Sequence, residues 1–293
     1  MAHKFTGSIT ALVTPFKDGA VDEQSFVAMV ERQITAGTHG LVPMGTTGEA
    51  PTLTLEEHRR VVALCVETAK GRVPVIAGAG SNDTAKALEL VKIAEDVGAD
   101  GLLCATGYYN KPNQQGFLAH FSAISAATEL PVIVYNVPGR TGADISVGTI
   151  AELSKRDNII ALKDATGDLA RVALQRLASG KDFTLLSGED MTAVGFNAMG
   201  GTGCISVTAN IVPQLCADMQ NACLLCNWDE ALDLQDRLAP LHDALFCETS
   251  PGPAKYALWR LGLCAPDTRL PLTPISDQSK ALIDGVLDGL GLL

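Results

Sequence analysis

Eight short apolar runs recur along the chain, at 7–16, 40–45, 73–79, 101–106, 131–137, 158–164, 183–188 and 200–207. Their starts lie mostly about 25 to 33 residues apart, the length of one strand–helix unit. The runs are apolar on both faces rather than alternating, the pattern of parallel strands covered by helices. Helical segments with recognisable ends lie between them. Thr54-Leu55-Glu56-Glu57 spells a capping box ahead of Val61, Val62 and Leu64. Ser146 can cap the segment holding Ile150 and Leu153, and Gly37, Gly71 and Gly98 follow helical stretches. Eight such units in about 210 residues predict an α/β fold, a (β/α)8 TIM barrel. A doubly wound sheet fits less well, because the units number eight and no Gly-x-Gly-x-x-Gly follows the first strand. Beyond Thr208 only helical periodicity remains, broken at Ser250-Pro251-Gly252-Pro253 and between Pro271 and Pro274. That is more helix than one barrel unit needs. The predicted division is 1–224 for the barrel and 225–293 for a small C-terminal helical domain.

Composition narrows the class. The 293 residues are 47% hydrophobic and 19% charged, which suits one sizeable globular domain with an appendage. A net charge of −11 argues against a nucleic-acid or anionic-membrane surface. No stretch approaches the ~18 uninterrupted apolar residues of a membrane span. Met1-Ala2-His3-Lys4-Phe5 has no long apolar run behind it, so no secretory signal is expected, and the expected location is cytoplasmic. Eight cysteines in a chain this long read as free thiols, mostly in the core, rather than as a disulfide framework. Cys223 and Cys226 have no second pair or histidine at metal spacing. With Cys216 they read as small apolar residues on one helix face.

In a barrel, chemistry collects at the C-terminal ends of the strands. Lys163 ends the run 158–164, and Tyr135 nears the end of 131–137, one strand away at matching depth. Buried lysine is rare unless paired or functional. Schiff-base chemistry needs a neutral amine, which burial favours. The competing reading is a structural ion pair with Asp164 or Glu189. A phenol such as Tyr135 can shuttle a proton to and from a carbinolamine. Otherwise it is a core ring with its hydroxyl at the rim. In Gly45-Thr46-Thr47-Gly48-Glu49 the glycines let backbone N–H groups turn toward one anion, and the threonines add hydroxyls. That suits a carboxylate better than a pyrophosphate. The alternative is a tight turn in which Glu49 holds backbone N–H groups. Arg140, in Pro138-Gly139-Arg140-Thr141-Gly142, can take a carboxylate bidentately or be a solvated loop arginine. Gly200-Gly201-Thr202-Gly203 precedes its strand and reads as a turn. Glu49, Asp164, Glu189 and Asp190 would need histidine to make a convincing metal site. His3, His39, His58, His120 and His242 do not fall at strand ends, so no metal is expected.

Four motifs in this order, Gly45 to Glu49, Gly107-Tyr108-Tyr109-Asn110-Lys111-Pro112, Tyr135 to Thr141 and Leu162-Lys163-Asp164, resemble the dihydrodipicolinate synthase family, part of the N-acetylneuraminate-lyase group of class I aldolases. The resemblance runs from Gly7 into the C-terminal helices. It implies that Lys163 forms an imine with pyruvate and that Tyr135, Thr46 and Tyr109 relay protons, Tyr109 reaching into the neighbouring subunit's site. Thr47, with the Thr46 backbone, would hold the pyruvate carboxylate, and Arg140 the carboxylate of L-aspartate-4-semialdehyde. Gly188 and Ile205 would line the pocket through backbone groups. The implied activity is a lyase that condenses these two substrates toward lysine and diaminopimelate. It needs no metal or organic cofactor, and the implied assembly is a homotetramer of two tight dimers.

Two other readings stay open. One is a pyruvate-dependent aldolase or lyase for a sugar acid such as N-acetylneuraminate or 2-keto-3-deoxygluconate. Arg140 speaks against it, because a polyol tail wants neutral groups. The other is a small-molecule sensor without turnover, against which the intact lysine, tyrosines and threonines speak. Gly107 stands where the family usually has proline, and Ser250 where asparagine is common. Many relatives bind L-lysine as an inhibitor in an interface cleft, which Asn82, Tyr108 and His58 match. Lys86, however, stands where inhibited relatives carry glutamate, and Leu55 replaces a histidine. Weak or absent inhibition by L-lysine is therefore expected, unless Lys86 points to solvent and Glu49 or Glu89 takes the acid's place.

Overall fold

The computed structural model describes residues 5–293; the tetrapeptide up to Lys4, including His3 and most of the segment searched for a secretory signal, lies outside them. Eight parallel strands form the centre: β1 Gly7–Ala11, β2 Gly40–Val42, β3 Ile76–Gly78, β4 Gly101–Ala105, β5 Val132–Asn136, β6 Ile159–Asp164, β7 Thr184–Ser187 and β8 Gly203–Ser206. They pair in the order β2-β1-β8-β7-β6-β5-β4-β3. One parallel bridge, Leu41 to Val75, joins the two ends of that row and closes the ring. Helices α1 Glu23–Thr35, α2 Leu55–Ala69, α3 Thr84–Asp96, α4 Gln114–Ala126, α5 Val147–Leu153, α6 Leu169–Ser179, α7 Ala193–Ala198 and α8 Pro213–Leu224 follow the strands in turn. Three more, α9 Trp228–Ala244, α10 Gly252–Arg260 and α11 Asp277–Gly289, complete the chain. No helix among the described residues is long and apolar enough to cross a membrane.

The strands are apolar on both faces because each face meets a different core. Ile9, Val42, Ile76, Leu103, Ile133, Leu186 and Ile205 fill the barrel interior. Leu41, Ala77, Leu102, Val134, Leu162 and Leu185 face outward into the helical layer. A third cluster packs β8 and α8 against the last three helices through Cys204, Cys216, Leu238, Leu241, Leu258 and Ile283. Fully burying a side chain of this kind contributes about 1.5–3 kcal/mol. The capping box at Thr54 forms, Ser146 caps α5, and Gly37, Gly71 and Gly98 adopt positive φ after their helices.

The strands are shorter than the apolar runs. The first run splits after Ala11, and Phe16–Lys17 pairs antiparallel with Ala20–Val21 in a small ribbon. Its turn residues, Asp18 and Gly19, both have positive φ, so Asp-Gly just beyond the run was the hairpin signal. Two further expectations need correction. Cys226 does not share a helix face with Cys216 and Cys223: α8 ends at Leu224, and Cys226 is exposed with a left-handed backbone. His39 does adjoin a strand, immediately before Gly40, but at the barrel end opposite the chemistry; there its Nδ1 accepts the Ser8 N–H.

Candidate active site

The mouth of the barrel is set by strand register. Tyr135 on β5 pairs with Lys163 on β6, and Ala105 on β4 pairs with Tyr135. The pleat then decides which side chains enter the ring, since neighbours along a strand point oppositely. Tyr135 and Lys163 turn inward, and the Lys163 amine lies 4.2 Å from the centre of the Tyr135 ring. Asn136 and Asp164 turn outward. Asn136 donates to Asp144 and accepts from the Ile145 N–H. Asp164 accepts from the Thr166 N–H and lies 3.6 Å from Arg171. Glu189 accepts the Met191 N–H. The ion pair with Asp164 or Glu189 therefore does not form. Lys163 is buried with no ion pair or hydrogen bond among the described residues. Burial pushes the Asp164 carboxyl up, tempered by the hydrogen bonds from Thr166; burial also raises Glu189.

Gly188 makes room for the lysine stem. A Cβ there would meet Ala165 Cβ at 2.8 Å and Lys163 Cε at 3.0 Å. Across the ring, the turn after β2 is forced by close backbone approach. A Cβ on Gly78 would lie 2.0 Å from the Met44 carbonyl oxygen, and Met44 takes a left-handed φ of 58°. The turn closes through Gly48 N–H to Gly45 O and Glu49 N–H to Thr46 O, and Thr14 donates to Gly48 O. The N–H groups and hydroxyls of Thr46 and Thr47 have no partner among the described residues. They form a set of donors facing a small cavity of about 40 Å³, lined also by Tyr135, Lys163 and Gly188.

A second cavity of about 440 Å³ adjoins the first, with Gly45, Thr46, Leu103, Tyr135 and Arg140 in the walls of both. Arg140 sits on the single turn Pro138–Thr141, and its guanidinium donates to the Ser250 carbonyl at 3.4 Å. His58, Lys86 and Tyr108 line the larger cavity; Asn82 stands behind, donating to the Tyr108 carbonyl. Lys86 thus faces the cavity as well as solvent. Neither Glu49 nor Glu89 is in its wall, and among the described residues that wall holds no carboxylate. Ile205 is buried in the barrel interior and is not among the residues lining either cavity. Tyr109 lines neither cavity of its own chain and is 92% exposed.

The acids considered as metal ligands are scattered. Glu49 pairs with Lys255, and Asp190 accepts from the Val207 and Thr208 N–H groups. Sequence reasoning missed Val207 and Phe246, which wall the lysine cavity, and Lys255, which is fully buried. The available signal for Lys255 was a lysine on the apolar face of the helix after Pro251-Gly252-Pro253.

Residues 4–288 match the Dihydrodipicolinate synthetase family. A protein of Parvibaculum lavamentivorans named 4-hydroxy-tetrahydrodipicolinate synthase is 58% identical over 289 residues, covering 99% of each chain. The fold superposes with a TM-score of 0.96 on the chloride-inhibited dihydrodipicolinate synthase of Acinetobacter baumannii complexed with pyruvate, at 44% identity over 98% of this chain and 99% of that one. The enzyme of Cyanidioschyzon merolae with lysine bound is also similar, with a TM-score of 0.96 and 38% identity over 99% of this chain and all of that one.

Proposed function

The chain belongs to the dihydrodipicolinate synthetase family, and from that premise we propose that it condenses pyruvate with L-aspartate-4-semialdehyde through a Schiff base on Lys163, giving 4-hydroxy-tetrahydrodipicolinate for lysine and diaminopimelate synthesis. The observation that carries this is an unpaired, buried lysine amine in register with Tyr135, opening onto a cavity shared with Thr46 and Arg140. On this reading residues 1–224 are the catalytic barrel and 225–293 a helical domain, and the enzyme works in the cytoplasm.

The chemistry follows from the groups present. The amine adds to the pyruvate ketone, and loss of water from the carbinolamine leaves the imine. Tyr135, with Thr46 and Tyr109, carries the protons this exchange requires. Thr47 and the Thr46 N–H hold the pyruvate carboxylate, beside backbone at Gly188. Loss of a methyl proton gives the enamine, whose carbon attacks the aldehyde. The amino group of the semialdehyde then attacks the imine carbon, which closes the ring and frees Lys163.

Arg140 holds the acceptor's carboxylate. A charge-assisted hydrogen bond of this kind is worth roughly 1.5–3 kcal/mol, about 10- to 150-fold. Arg140→Ala is expected to raise the KM for the semialdehyde or lower kcat/KM for it by that factor, while pyruvate imine formation stays nearly unchanged. An assay offering the semialdehyde, N-acetylneuraminate and 2-keto-3-deoxygluconate decides the substrate class; preferential cleavage of either sugar acid would overturn the reading.

The assembly on this reading is a tetramer of two tight dimers, with Tyr109 completing the partner's relay. Its exposure supports a role outside its own subunit's site. Mixing Lys163→Ala with Tyr109→Phe subunits should recover activity in mixed dimers. Verified mixed dimers without recovery would return Tyr109 to its own site.

L-lysine should inhibit weakly or not at all. The larger cavity carries Lys86 and Arg140 and, among the described residues, no carboxylate, so an incoming ammonium meets like charge. Strong inhibition at low concentration, abolished by mutating Asn82 or Tyr108, would show that the cleft works despite Lys86.

A further inference from the structure

Glu49 ends the turn that carries Thr46 and Thr47, and its side chain is held entirely from the C-terminal part of the chain. Its Oε1 lies 2.5 Å from Lys255 Nζ and has no further partner among the described residues. Its Oε2 accepts the Arg269 N–H at 3.0 Å. Lys255 itself has no exposed surface. Its ammonium donates to the Asp267 carbonyl at 2.7 Å and lies 4.0 Å from the centre of the Phe16 ring. Arg269 stacks on the same ring and grips the Thr52 carbonyl and the Glu57 carboxylate. The loop after β2 is thus anchored from the C-terminal segment by the Lys255 ammonium and the Arg269 main-chain N–H on Glu49 and by the Arg269 guanidinium on Thr52 and Glu57, with both cations over one aromatic ring.

A structural pair could sit anywhere in a protein. This one sits at a residue with a left-handed φ of 57°, whose N–H closes the turn onto the Thr46 carbonyl. Moving Glu49 therefore rotates the peptide groups of Thr46 and Thr47, whose N–H groups and hydroxyls have no other partner. An unpaired carboxylate in that buried place would pull toward water and take the turn with it. Donors preorganised for an anion lose affinity when their aim changes by a fraction of an ångström.

We propose that Lys255 is a positioning residue for pyruvate: by holding Glu49 it aims the Thr46–Thr47 donors at the substrate carboxylate, so that the C-terminal helical segment sets pyruvate affinity. This rests on the function proposed above and adds a residue to it that does not touch the substrate.

The test measures imine formation by borohydride trapping across pyruvate concentrations, with steady-state kinetics for both substrates and thermal melting. Lys255→Met should raise the pyruvate concentration for half-maximal trapping, and the pyruvate KM, by about tenfold or more. The semialdehyde KM and the kcat at saturating pyruvate should move less than about threefold. The double variant Lys255→Met/Glu49→Gln removes the stranded charge. It should regain most of the melting temperature lost in the single variant, and still bind pyruvate weakly. Wild-type pyruvate affinity in either folded variant, or equal losses for both substrates, would overturn the positioning role. Recovery of affinity together with stability in the double variant would also overturn it. Absence of a pyruvate imine in the unsubstituted protein would instead strike at the proposed function.

Discussion

Borohydride reduction in the presence of pyruvate is expected to fix a single pyruvate-derived adduct on Lys163, and Lys163→Ala is expected to take no adduct. Turnover should fall on the order of 10⁴-fold or more, because the group removed forms the covalent bond on which every later step depends. The effect should be chemical and not structural. The Lys163 amine makes no ion pair or hydrogen bond among the described residues that the alanine would orphan, so the melting temperature should hardly move. Peptide mapping locates the adduct. Full labelling of the alanine variant would remove Lys163 from the chemistry.

Stability should fall steeply as the pH drops from about 6.5 to about 4. Burial depresses His58 and His120 from 6.5 to about 4, and burial also lowers His242. A neighbouring carboxylate, Asp83 for His120 and Asp190 for His242, opposes burial without overcoming it. The rings are neutral in the fold, and the unfolded chain takes up their protons first. The stability they contribute is therefore complete above about 6.5 and is lost as the pH falls through about 4. For His58 and His120 this is on the order of 3 kcal/mol each. Asp164 and Glu189, raised by burial, pull the other way over part of the range. Glu57, held at about 2 chiefly by Arg269, adds its own loss only below its ordinary 4.5. Urea midpoints at pH 7, 5.5 and 4.5, with His58→Gln and His120→Gln for comparison, check the assignment. Equal midpoints at pH 7 and 4.5 would sink it.

The barrel was legible because its signal is repeated. Each strand needs two apolar faces and each unit needs a helix's length, so small errors at the ends do not accumulate. The run that begins at Gly7 misled because Leu12 and Val13 are buried outside β1, where the Val13 N–H is taken by the Asn210 side chain. The inward members of the site were legible from the strand pleat. Tyr135 and Lys163 share a level, and Asn136 and Asp164, one residue on, must face the helices. What no local pattern encodes is the partner of Glu49. Lys255 lies 206 positions away, and its place on an apolar helix face says that it is buried without saying which acid it meets. Nor does the sequence show that Lys86 faces a cavity without a carboxylate; that follows only from how α2, α3 and the Tyr108 loop meet.

The strand ladders around the ring are unequal. β5 and β6 are paired from Val132 to Asn136, whereas β2 and β3 meet through the bridge at Leu41 and Val75 with the bonds Leu41 N–H to Pro74 O and Gly78 N–H to Pro43 O, and β7 and β8 through the single pair Ser187 and Cys204. A ring breathes first at its thin seams, since opening one gives up few backbone bonds. One of them lies beside the turn that carries Thr46 and Thr47, and the longest ladder runs beneath Lys163 and Tyr135. Opening at such a seam would leave Lys163 and Tyr135 aligned on the most fully paired wall of the barrel.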